Sequence, residues 1–265
     1  MPYAACPKCH HAPLPQDQAL PAACPACGLV LAKYGAAPVG RSPSLARSGD
    51  ASEDEPDSRL EWLAGRLFQL PDKVPKTTWR ARAATLAVFV PWTLWIWIDV
   101  DIRRGNVGSN FLHMILLPFH EAGHYAIFRW FGEFIMTLGG TLGQLLMPIV
   151  LAGALLIQRR DAFGAALFLW LLGFSTIDMA VYMYDAFDPK LMLLGGATGA
   201  ESDGHDWQNI FGDLGLLRRA KGIGLFFGAV GMAMMAAALA WAARVVWLQR
   251  SRISDSLVAD FDLEG

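Results

Sequence analysis

Three ionisable side chains, His120, Glu121 and His124, fall inside an apolar run from Asn110 to Phe131. They belong to the pentad His120-Glu121-Ala122-Gly123-His124, an HExxH pattern. Burying such groups in hydrocarbon costs several kcal/mol each, so a fold that contains this run must turn them toward protein or an aqueous cavity. On a helix, steps of about 100° place His120 and His124 one turn apart on one face, with Glu121 beside them. Two imidazoles at that spacing suit one Zn²⁺, and the carboxylate suits the general base that takes a proton from water. The pentad therefore points to a zinc hydrolase with His120 and His124 as ligands and Glu121 as the catalytic base.

Composition sets the surroundings. Of 265 residues, 54% are hydrophobic and only 17% charged, against about a quarter charged in ordinary soluble domains. Ten Trp and 26 Gly fit membrane helices, which tolerate Gly and carry Trp at their water interfaces. A formal net charge of −2 gives no reason to expect nucleic acid as a partner. No basic stretch followed by an apolar core opens the chain, so no cleavable signal peptide is expected.

All four cysteines lie in the first 27 residues, as Cys6-Pro7-Lys8-Cys9 and Cys24-Pro25-Ala26-Cys27-Gly28 with 14 residues between the pairs. Two CxxC turns offer four thiolates to one tetrahedral Zn²⁺, and so short a segment needs the metal to fold. Residues 1–35 thus resemble a zinc ribbon, with Cys6, Cys9, Cys24 and Cys27 holding a structural zinc. With only Lys8 and Lys33 basic nearby, the ribbon suits a protein partner or a regulatory contact.

Residues 36–58 are rich in Ala, Pro, Ser and Gly without apolar periodicity and read as a flexible linker. Leu60, Leu63, Leu67 and Leu70 recur at helical spacing, which predicts an amphipathic juxtamembrane helix over 59–76. A transmembrane metalloprotease-like domain follows over 77–250, then a C-terminal tail over 251–265. Within it, Ala81–Ile98, Asn110–Phe131, Phe134–Ile157, Ala162–Tyr184 and Gly222–Trp247 are each near the roughly 20 residues needed to cross a bilayer. The expected fold is an all-α polytopic membrane protein of about five transmembrane helices with a small N-terminal zinc ribbon.

Lys and Arg near the span ends set the expected orientation. With a cytoplasmic N-terminus and five spans, ten of them lie inside, including Lys73, Lys76, Arg80, Lys190 and Arg218, and six outside, Arg103, Arg104, Arg159, Arg160, Arg250 and Arg252. That predicts a bacterial inner-membrane protein with its N-terminus and the Asp185–Lys221 loop in the cytoplasm and its C-terminus outside. The ribbon thiols then sit in a reducing compartment.

A catalytic zinc takes three protein ligands and one water, so a third ligand must come from elsewhere. The loop segment Glu201-Ser202-Asp203-Gly204-His205-Asp206-Trp207 is the densest cluster of candidates, with Asp203, His205 and Asp206 leading and Asp178 outside the loop. Against that reading, Ser202 or Asp203 could cap a helix marked by Trp207, Ile210, Phe211 and Leu214. His113, two turns before His120 and roughly 10 Å away along the helix, is too distant to share the metal.

Three motifs resemble the site-2 protease family of intramembrane zinc metalloproteases. The pentad matches the family's helix, including Gly123 before the second His. The segment Gly139-Gly140-Thr141-Leu142-Gly143-Gln144, followed by Pro148, looks like its small-residue segment, with Gln144 where the family carries Asn. Asp203-Gly204 is similar to its Asp-Gly motif. The resemblance covers Phe111 to Trp207. It implies Asp203 as the third ligand, Gln144 as a group positioning the substrate backbone, and a membrane-protein or peptide substrate cleaved near the cytoplasmic face. Two rivals stand beside it. One is a non-proteolytic zinc-ribbon membrane scaffold or sensor with an inactive HExxH; the other is a di-metal oxidase, for which no second ExxH is present.

Overall fold

The structure is a computed structural model, and it describes residues 3–15, 22–31, 65, 67–107 and 111–255. The linker expected over 36–58, the first part of the helix expected over 59–76 and the end of the tail lie outside these residues. The chain divides into two compact units, Met1–Glu55 and Pro56–Gly265.

In the first unit two turns of the same form face each other. His10 N donates to Cys6 O and Gly28 N to Cys24 O, at 2.9 and 2.8 Å. Both turns close on a left-handed residue, His10 (φ 58°) and Gly28 (φ 69°). Cys6, Cys24 and Leu31 form its small buried cluster.

The second unit is helical. Strand β1 (Val74–Pro75) leads into α1 (Lys76–Asp99), followed by α2 (Phe111–Ala122), a π-helical turn (Gly123–Ile127) and a 3₁₀ turn (Arg129–Phe131). Then come α3 (Glu133–Ile157), α4 (Ala162–Asp185), the short α5 (Asp206–Asp213), a 3₁₀ turn (Leu217–Arg219), α6 (Ala220–Gln249) and strand β2 (Ile253–Ser254). Among the described residues four helical segments are long and apolar enough to cross a membrane: Lys76–Asp99, Glu133–Ile157, Ala162–Asp185 and Leu217–Arg252. Residues 71–75, expected at the end of a helix, are not helical; Val74 and Pro75 instead pair in parallel with Ile253 and Ser254.

The second expected span is not one continuous helix. Twelve-residue α2 reaches about 18 Å, short of the roughly 30 Å of hydrocarbon. Its preceding loop turns inward, with Val100, Ile102 and Val107 buried in the core of α1, α4 and α6. The helix then loosens at Gly123, where Phe128 N donates to Gly123 O five residues back.

This changes the arrangement of the ends. Trp79, near the start of α1, donates to Val246 O near the end of α6, and Arg82 pairs with Asp161 between α3 and α4 at 2.9 Å. Asp161 also caps α4, accepting from Gly164 N. Gly173 lies against Gly231, and Tyr184 against Gly224, so α4 and α6 run antiparallel. Both chain flanks of the helical unit therefore gather at one end of the bundle. The α3 N-terminus, the α4 C-terminus, the 186–216 loop and the start of α6 gather at the other. The expected arrangement placed the N-terminal flank and the loop together and the C-terminus opposite; in the bundle both flanks lie at the end away from the loop, and α2 runs back toward the loop end. Regrouped this way, Lys73, Lys76, Arg80, Arg82, Arg159, Arg160, Arg250 and Arg252 face Arg103, Arg104, Arg129, Lys190, Arg218, Arg219 and Lys221. Among the described residues, eight against seven leaves little of the charge bias on which the cytoplasmic N-terminus rested.

One buried polar pair links the first and fourth helices, as an apolar surrounding favours. Trp170 Nε1 donates to Thr93 Oγ1 at 2.8 Å, and that hydroxyl donates to Phe89 O at 2.7 Å.

Candidate metal centre

At the loop end, α2 and its π turn press against the glycine-rich first half of α3. Gly123 makes this approach possible, since a Cβ there would lie 2.0 Å from Gly139 O. The pentad thus straddles a helix break rather than riding a regular helix, and its two imidazoles converge. His120 Nε2 and His124 Nε2 are 3.1 Å apart. Two nitrogens on one tetrahedral zinc, at about 2.0–2.1 Å each, would stand about 3.4 Å apart.

The partner of each ring fixes which nitrogen carries the proton. His124 Nδ1 meets the Met136 carbonyl at 2.8 Å, which can only accept, so Nδ1 is the donor and Nε2 holds a lone pair. His120 Nδ1 meets Gln144 Oε1 at 3.2 Å. The orientation of that amide is set on its other side, where Gln144 Nε2 donates to Asp178 Oδ2 at 2.7 Å. His120 Nε2 is therefore also a lone pair. Two lone pairs face each other, and Asp206 Oδ2 completes the group at 3.0 Å from His120 Nε2 and 3.2 Å from His124 Nε2. A proton on one ring would relieve one of these contacts; a divalent cation at the centre relieves all three.

Gly140 leaves the space for it. An alanine Cβ at this position would fall 2.3 Å from His124 Nε2 and 2.6 Å from His120 Nε2, close to where a zinc would sit. The donor set and the glycine cradle both fit a metal ion, with His120, His124 and Asp206 as the protein ligands.

The carboxylate that meets the histidines is Asp206, not Asp203. Asp203 is exposed, its backbone carbonyl accepts from Asn209 Nδ2, and it lines the rim of the same cavity. His205 does not face the metal either. It is fully buried and caps α5, its Nδ1 accepting from Gln208 N at 3.1 Å, with Asp185 Oδ2 3.3 Å from its Nε2. The helix cap in this loop is thus His205 rather than Ser202 or Asp203, and Asp206 is delivered by the first turn of the helix so started.

Gln144 is buried and turned inward. Its amide joins His120 to Asp178, whose other oxygen accepts from His113 Nδ1 at 2.8 Å. Its amide is thus engaged on both sides, while the side chain also lines the cavity into which the resemblance placed a substrate backbone. His113, as expected, is not among the converging ligands.

Glu121 is half-buried and lines a cavity of 730 Å³ together with His120, His124 and Asp206. The loop residues Leu191 to Leu194 close the other wall. Tyr182, which the sequence reading passed over, holds the loop in place. Its hydroxyl accepts from Asp206 N at 3.1 Å, and its ring packs on His205 at 4.2 Å between centroids. Nothing in the sequence marked it, because its partners are brought from more than 20 residues away.

The four thiols of the first unit form a second cluster. Cys6 and Cys27 sulfurs are 3.6 Å apart and Cys9 and Cys24 sulfurs 3.7 Å, near the roughly 3.8 Å that four thiolates at about 2.3 Å from one zinc would adopt. Burial pushes the Cys6 thiol up, but the Cys9 and Lys8 backbone N–H groups and the Cys9 and Cys24 thiols outweigh it and bring it to about 6. These cysteines lie close enough together to bind a metal ion such as zinc. Comparison with protein-family models, curated proteins and solved structures finds no match to this chain.

Proposed function

We propose that the chain is a membrane-embedded, zinc-dependent peptidase that hydrolyses peptide bonds of membrane-associated substrates in the cavity at the loop end of the bundle. The observation that carries this reading is the convergence of two imidazole lone pairs and the Asp206 carboxylate on one point, with the half-buried Glu121 beside them. A bound zinc would lower the pKa of water toward neutrality and polarise a carbonyl. Glu121 takes the proton of the attacking water and passes it to the amide nitrogen as the C–N bond breaks. Gln144 and Met136 O hold the two rings in the tautomer that leaves each Nε2 free. The ribbon carries the second, structural zinc and suits a protein partner.

Glu121→Gln keeps the size and neighbours of this side chain but cannot accept the proton. Peptide cleavage by the purified, detergent-solubilised protein is expected to fall by about 10²–10⁴-fold, with the zinc content unchanged. Undiminished cleavage would sink the peptidase reading and leave a zinc-binding scaffold.

In the membrane, the two chain flanks share one side and the site opens on the other. Single cysteines at Lys73 and Asp255, in a background lacking the ribbon cysteines, are expected to label from the same side, and a cysteine at Ala197 from the opposite side. Labelling of positions 73 and 197 from one side would restore the five-span arrangement.

A further inference from the structure

We propose that the Tyr182 hydroxyl is the hydrogen-bond donor to the oxygen of the scissile carbonyl, making Tyr182 a catalytic residue of the peptidase proposed above; the assignment rests on that reading. Tyr182 stands one helical turn after Asp178 on α4, so both side chains face the site. Its oxygen is fixed on one side by the Asp206 N–H, the backbone group of a metal-ligating residue. The ring is fixed on the other by His205, which is itself fully buried. A hydroxyl that accepts one bond still has its own proton to give. Among the described residues no acceptor takes that proton, and Tyr182 lines the cavity with His120, Glu121, His124 and Asp206.

The other side-chain donors of this cavity are mostly engaged. Gln144 donates to Asp178, Thr137 to Glu133 O, Ser202 to Thr198 O and Asn209 to Asp203 O. No Lys or Arg lines it among the described residues. Two other hydroxyls in the wall, Thr141 and Tyr125, have no hydrogen bond among the described residues; a phenol is a stronger donor than a threonine, and Tyr125 is 67% exposed, whereas the Tyr182 oxygen is held by the Asp206 N–H. When water attacks the carbonyl carbon, the C=O electron pair moves onto oxygen, and the charge that develops there needs a donor already in place. Tyr182 supplies one without reorganisation. It keeps its proton throughout; the proton delivered to the leaving nitrogen travels through Glu121.

Tyr182→Phe removes the hydroxyl and leaves the ring on His205. In cobalt-substituted protein, acetohydroxamate places a carbonyl oxygen at the metal, and its binding is read from the cobalt absorption without any turnover. The phenylalanine variant is expected to keep its cobalt affinity within about threefold, as for loss of a single backbone contact. Its acetohydroxamate affinity should fall by about 10- to 100-fold, the effect of a hydrogen bond to a charged acceptor. With a peptide substrate, kcat should fall by about 10²–10³-fold at nearly constant KM. Three results would overturn the assignment. Cobalt affinity lost in proportion to activity would make Tyr182 only a clamp on Asp206. Unchanged acetohydroxamate affinity would remove the donor role. An equal or larger effect of Thr141→Val or Tyr125→Phe would move that role to the hydroxyl so removed. Failure of the peptidase reading shows separately, as cleavage that survives Glu121→Gln, and leaves the acetohydroxamate result standing.

Discussion

Gly140→Ala is expected to empty the histidine site while the protein stays folded. The added methyl group would lie 2.3 and 2.6 Å from the two Nε2 atoms, within the space a zinc ion needs. Neither ring can move aside freely, because His124 is held by Met136 O and His120 by Gln144. The alternatives are displacement of the metal or separation of α2 from α3, and overpacking of a core by one methyl group costs about 1–3 kcal/mol. A chain whose other helices are unaffected can absorb that. Zinc at the histidine site should therefore weaken by at least about 10²-fold, more than the 10–100-fold typical of losing a supporting group. The four-thiol site is untouched, so metal analysis should find the zinc content reduced from two ions per chain to one. Two ions retained in the alanine variant would mean that the two histidines do not share a metal.

Asp206→Ala and Asp203→Ala are expected to differ sharply. Removing the Asp206 carboxylate leaves two imidazoles and withdraws the anion that, among the described residues, lies against both Nε2 atoms. Zinc at this site should be lost at concentrations where the wild type is saturated, a weakening of at least about 10²-fold. Removing Asp203 takes away an exposed side chain whose structural link is its backbone carbonyl, and zinc content should stay at the wild-type level. Competition with a chromophoric zinc chelator reads both variants. A site emptied by Asp203→Ala and still loaded in Asp206→Ala would return the third ligand to the Asp-Gly motif. His205→Ala is a poorer probe. Loss of this helix cap destabilises α5 by about 0.5–2 kcal/mol and so moves Asp206 as well.

The ribbon ligands and the pentad were legible in the sequence because each is local. A CxxC turn presents both sulfurs from four consecutive residues, and two histidines four apart stay neighbours one turn apart even where the helix loosens at Gly123. Helical class and apolar spans were legible for a similar reason, since twenty apolar residues need only their own backbone hydrogen bonds to be satisfied in lipid. The Asn110–Phe131 run misled on this count. Its composition suits a span, but the inward turn of Ile102 and Val107 and the loosened turn at Gly123 shorten it, and these depend on the packing of α1, α3 and α6. The same packing sets the loop at the end of the bundle away from both chain flanks.

Local pattern also singled out Asp203 to Asp206 as the leading source of a carboxylate beside the histidines, but not which residue it is. Adjacent residues at the start of a helix point in different directions, and only the docked position of α5 decides which faces the histidines. His205 became a cap because its ring packs on Tyr182 beside Asp185. Asp206 became the carboxylate at the site because the next helical step points toward α2. The same holds for Gln144, Gly140 and Tyr182, whose roles exist only where α3, α4 and the loop meet. Spacing along a chain specifies what one helix presents; what two helices enclose between them is specified by their packing.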